Sequence, residues 1–152
     1  MEEQKIARID GMQGASDPVE LAWAFPEVNA GQAPFGGRVI VQLRRIKKTA
    51  AGSRIILVSE TKENEKWQNM IGKVIAIGPL AFKNRETMAS WPEGSWASVG
   101  DFVRVPKWGG DRWERAVPGE DDKEDPVLFM TINDHELIAK VTDDPLSFNA
   151  FV

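Results

Sequence analysis

The sequence predicts an all-β protein, a small β-barrel with long insertions. Three observations lead there. The apolar runs are short, as in Val39-Ile40-Val41, Val74-Ile75-Ala76-Ile77 and Val127-Leu128-Phe129-Met130. Glycine and proline separate them, at Gly36-Gly37, Gly78-Pro79, Pro92-Glu93-Gly94 and Gly109-Gly110. No long helical periodicity follows residue 36.

Residues 1–35 read as an N-terminal extension rich in Gly, Ala, Pro and acids. Within it a short helix is expected: Asp17 as N-cap, Pro18 in the first turn, Glu20 at the capping-box position and Pro26 as the stop. It is expected to dock on the domain or on a neighbour. Val39, Val41 and Leu43 then alternate with Ile40, Gln42 and Arg44, which predicts a strand. The basic tail Arg44-Arg45-Ile46-Lys47-Lys48 continues it. A loop of about residues 50–69 follows, and then a strand over Gly72–Gly78. The long connection Leu80–Ser98 holds a tight turn between Trp91 and Trp96, a hairpin or roof-like insertion. Phe102–Val105 and Val127–Met130 are further strands. Trp108-Gly109-Gly110-Asp111 interrupts the chain, and the acidic run Glu120–Asp125 reads as a solvated loop. Asn133-Asp134-His135-Glu136 turns into a last strand, Leu137–Val141, and residues 143–152 form a tail. The domain proper is thus expected over 36–142.

Composition narrows the function. At 152 residues the chain is long enough for one domain with a sizeable core, and 42% apolar with 28% charged residues is ordinary for a globular protein. A net charge of −4 gives no global attraction for nucleic acid. The absence of cysteine excludes disulfides and thiol chemistry and fits a reducing compartment. No apolar run approaches the ~20 residues of a membrane span, and the acidic start Met1-Glu2-Glu3 does not read as a signal peptide. The cytoplasm is the expected location.

Catalytic signals are sparse. The single histidine, His135, lies between Asp134 and Glu136, but neighbouring side chains on a strand diverge and no second His or Cys completes a metal site. The acidic run offers its carboxylates one shared environment, whereas a catalytic pair needs two. No phosphate-binding glycine motif occurs. Neither enzyme activity, a cofactor nor a metal is expected. Arg44, Arg45, Lys47, Lys48 and Arg54 form a basic patch that a single-strand binder would use. No tryptophan interleaves with it, and a charged edge strand that avoids aggregation is the preferred reading.

The loop carries the most distinctive feature. Ile55-Ile56-Leu57-Val58 stands between Gly52-Ser53-Arg54 and Ser59-Glu60-Thr61-Lys62. Such a tetrad is either a buried strand or an apolar anchor on a functional loop. The length and polarity of the surrounding chain favour the anchor.

In order, Gly37-Arg38-Val39-Ile40-Val41, Gly52-Ser53-Arg54-Ile55-Ile56-Leu57, Gly72-Lys73-Val74-Ile75-Ala76-Ile77-Gly78, Val99-Gly100-Asp101, Val127-Leu128-Phe129-Met130 and Asp134-His135-Glu136-Leu137-Ile138-Ala139 resemble the GroES-type co-chaperonins over residues 36–142. The extension and the enlarged 80–98 connection are similar to the divergent members encoded by bacteriophages. The resemblance implies a GroES-like barrel assembled into a sevenfold ring that caps a large GroEL-type chaperonin and assists folding, with phage capsid protein as one such substrate and the host cytoplasm as the location. It implies that Gly52, Ser53, Arg54, Ile55, Ile56, Leu57 and Val58 dock on the chaperonin, which hydrolyses the ATP. It also implies a subunit interface of Arg38, Val39, Ile40 and Val41 against Leu137, Ile138, Ala139 and Val141 of a neighbour. The competing expectation is a phage structural protein, a decoration or baseplate component on a small β-barrel.

Overall fold

The computed structural model describes residues 17–45, 69–120 and 125–148. Six strands form one antiparallel sheet: β1 (Arg38–Leu43), β2 (Ile71–Ile77), β3 (Phe102–Arg104), β4 (Asp111–Arg115), β5 (Val127–Asn133) and β6 (Ala139–Lys140). Their spatial order is β4-β5-β1-β2-β3-β6. One helix, α1 (Pro18–Ala24), precedes them. The chain is therefore mostly β, as the sequence predicts.

Strand β1 is the centre of the sheet. It pairs with β2 from Val39↔Ile77 to Leu43↔Gly72 and with β5 from Arg38↔Asn133 to Gln42↔Phe129. Its side chains alternate between two buried faces. Val39, Val41 and Leu43 meet Val74, Val103, Leu128, Met130 and Ile132 in one cluster. Ile40 faces the other way, onto Val127, Phe129 and Val117. Burial on both faces is why β1 and β5 read as continuous apolar runs.

The first cluster is closed by the chain between β2 and β3. Phe82, Trp91 and Trp96 pack with ring centroids 4.9–6.1 Å apart. Gly94 N donates to Trp91 O at 2.8 Å, closing the turn expected there. Phe82 is held in the left-handed region, φ 62°, and its amide donates to the buried carboxylate of Asp134 at 2.7 Å.

The second face is covered by residues 17–35, which run across it as a strap. Asp17 caps α1 by accepting from Val19 N at 2.8 Å, and Pro18 opens the helix. Gln42 Nε2 donates to Pro26 O and Trp113 Nε1 to Ala30 O. Val28 and Ala30 join Ile40 and Phe129 in the second cluster. Ala24 and Phe25 join Ile71 in a third, which Phe102, Val141 and Leu146 complete. Of the two expected docking places, the strap takes the domain itself.

Two elements depart from expectation. Strand β4 was not anticipated, because Asp111-Arg112-Trp113-Glu114-Arg115 has a single apolar residue to mark it. The last strand is shorter than Leu137–Val141. Asp134–Glu136 forms a 3-10 turn, and Leu137 drops into the first cluster, so the register pairs with β3 are Ala139 and Lys140, flanked by Ile138 N donating to Arg104 O and Val141 N to Phe102 O.

Candidate functional site

The docking residues Gly52 to Val58 lie outside the described residues, as do all of 46–68. The two ends of that segment are well defined. Past the last register pair, Arg44 N donates to Ile71 O at 3.0 Å. Buried Asn69 ties the ends together: its Nδ2 donates to Arg44 O, and its Oδ1 accepts from Ile71 N at 3.0 Å. Arg45 and Asn69, which flank residues 46–68, thus sit at adjacent strand ends.

Three arginines brace this base. The Arg45 side chain is only 1% exposed. Its Nε donates to Trp23 O at 2.8 Å, and its Nη1 donates to Glu120 Oε1 at 2.9 Å and to Asp125 O at 2.7 Å. Its Nη2 reaches Glu120 Oε2 at 3.3 Å, and the guanidinium lies 4.3 Å from the Trp23 ring centroid. Arg44 Nη1 donates to Pro145 O at 2.7 Å and Phe148 O at 2.9 Å. Arg112 donates to Asn69 O at 3.4 Å and Pro106 O at 3.2 Å. Burial lowers the pKa of Arg44, against an opposing pull from Asp144, and burial likewise lowers that of Arg112. Guanidinium tolerates such burial because it stays charged and fits several carbonyls at once.

This corrects the reading of the basic run. Arg44 and Arg45 do not lie on a charged edge strand. The strand they extend is central, and their donors are used inside the protein. Sequence had no local signal for this, since the partners lie at residues 23, 120, 125, 145 and 148.

The expected interface residues divide. Val39, Ile40 and Val41 are buried inside the chain, while Arg38 is exposed. Both edges of β1 are occupied, by β2 and by β5, so neither is open to a neighbour's strand. Leu137 is buried, Val141 is half-buried in the third cluster, and Ala139 lies on β6. Ile138 is 54% exposed. The far edge of β6 has no partner strand among the described residues. Beside it opens a cleft of about 520 Å³, lined by Trp96, Val103, Leu137, Ile138 and Lys140 among others. The Trp96 Nε1 proton is buried and finds no acceptor among the described residues.

His135 behaves as a turn residue. Its Nδ1 is 3.5 Å from Asp134 Oδ1, and its own amide donates to the same oxygen at 2.8 Å. No group of three metal-ligating side chains occurs among the described residues, and no described helix is long and apolar enough to cross a membrane. Asp134 was missed as an anchor because its partner, the Phe82 amide, is distant in sequence. No protein-family model and no curated protein matches the chain.

Proposed function

We propose that the chain is a GroES-type co-chaperonin, a lid subunit that docks on a large ATP-dependent chaperonin through Gly52–Val58, in the loop of about residues 50–69. The observation that carries this reading is the braced base: two adjacent strand ends, fixed by Asn69 and three arginines, from which a segment containing Ile55-Ile56-Leu57-Val58 departs and returns. In this reading the sheet is a small barrel around the first cluster. It is the scaffold, and ATP hydrolysis belongs to the partner.

The energetics suit a releasable lid. Burying Ile55, Ile56 and Leu57 yields about 1.5–3 kcal/mol each. Ordering each loop residue costs about 1–2 kcal/mol. One segment is therefore a weak ligand, and a ring of copies supplies the avidity.

Because β1 is filled, subunits meet at the open edge of β6 instead. Ile138 and the Trp96 cleft form one side of that contact. The irregular stretch 31–35, ending in Phe35 at 83% exposure, supplies the other. Such a head-to-tail contact generates a ring when its rotation closes.

Ile56→Asp tests docking. A carboxylate forced unpaired into an apolar groove costs several kcal/mol per segment. The expected result is a protein that melts normally and no longer co-purifies with a bacterial chaperonin in the presence of nucleotide. Normal melting with undiminished binding would falsify this reading and favour the structural-protein alternative. Cooperative unfolding would make the tetrad a core strand.

A further inference from the structure

Arg45 joins three parts of the molecule that are remote in sequence. Its backbone N donates to Ala24 O at 3.0 Å, and its side chain holds Trp23 O, Asp125 O and both oxygens of Glu120. It is also the last described residue before segment 46–68. Exposure is very unequal across the ion pair: 1% for the Arg45 side chain and 41% for Glu120.

We infer that Glu120–Arg45 is a conformational joint, through which a change at the accessible Glu120 carboxylate is felt in helix α1 and at the base of segment 46–68. Among the described residues, Glu120 is the carboxylate whose oxygens accept from the guanidinium. A buried cation that loses its carboxylate is costly. When a cationic group from outside captures Glu120, or the carboxylate is neutralised, Arg45 turns toward water. It then releases Trp23 O and the Trp23 ring, and the end of α1 loses one of its ties to the sheet beside the Arg45 N to Ala24 O bond. Coupling of this kind is reciprocal: whatever holds α1 in place also strengthens the pair. The consequence for docking rests on the function proposed above, but the joint itself is testable without any chaperonin.

The test is residue-resolved amide exchange on the whole chain, with melting as a check on the fold. In Glu120→Gln, which keeps the shape and removes the charge, the Arg45 and Phe25 amides are expected to exchange at least about tenfold faster, with Thr131 at the sheet centre unchanged. Neither of these amides donates to Glu120: their acceptors are Ala24 O and Leu21 O. In an Arg45→Met background, which removes the cation, the same Glu120→Gln change is expected to have no effect on α1. Faster exchange confined to residues 117–125 overturns the inference, as does a uniform rise across the sheet or an equal effect in both backgrounds. If Arg45→Met does not fold, the Glu120→Gln pattern alone decides.

Discussion

Gly78 shows how one atom can fix a strand end. A β-carbon there would collide with Gly36 O and lie 2.8 Å from Arg38 O. Both obstacles are backbone, and Gly78 N already donates to Arg38 O at 2.8 Å. Gly78→Ala is therefore expected to lower stability by about 1–3 kcal/mol, read from the urea midpoint. An unchanged midpoint would show that the Gly36 turn yields freely. Met88 offers the opposite case. It sits in the left-handed region at φ 63° and is about half exposed, with no place in the buried clusters. Met88→Gly should raise stability by about 0.5–1 kcal/mol, the strain relieved less the added chain entropy of glycine. A lower melting temperature would mean that the Met88 side chain packs usefully. Gly78 was legible in the sequence as a strand end, whereas Gly72, expected to open the strand, lies inside β2 and pairs with Leu43 and Val103. The reason for Gly78, a close approach of two carbonyls, was not legible, because contact distances have no local signature.

The strap is the element whose removal says most. Residues 17–35 place Val28 and Ala30 over Ile40 and Phe129, and Phe25 against Phe102 with ring centroids 5.0 Å apart. Returning one such large apolar side chain to water costs about 1.5–3 kcal/mol, and several are uncovered together. Deleting residues 1–35 should therefore give insoluble protein, or one that no longer melts cooperatively. A soluble product with unchanged melting would show that the strap is an ornament. Its helix was legible from Asp17, Pro18 and Pro26. Its destination was not, since its apolar residues are too few to show which face they serve. Strands β1, β2 and β5 were legible because each packs on two faces or alternates cleanly. Strand β4 escaped because it is a polar edge strand with Trp113 as its one marker, and the last strand was over-read because Leu137 serves the core and not the ladder.

For the molecule as a whole, the all-β class was legible, but the order of strands was not, because local patterns carry no pairing information. That is why the expected pairing of β1 with a neighbour is not met: β2 and β5 lie on its two edges. If subunits join at the open edge of β6, Ile138→Asp should yield folded monomers by sedimentation, since its side chain is exposed and the first cluster does not depend on it. Phe35→Ser should do the same from the other side. Intact rings from both variants would sink this assembly, and loss of the fold in either would place that residue in the core. The candidate docking residues were legible as an apolar tetrad in a polar stretch, whereas the base that presents them depends on contacts between remote residues. Those contacts gather the stretches around residues 21–24 and 145–148. Arg45 holds Trp23 and Ala24 near the start, Arg44 holds Pro145 and Phe148 near the finish, and Leu21, Trp23 and Leu146 share one cluster. Stretches lying this close can be joined by a short linker and the chain reopened elsewhere. A circular permutant that begins at Asn69, runs through Phe148 into Asp17 and stops at Arg45 keeps every strand of the sheet in place, and so separates the scaffold from the segment it presents.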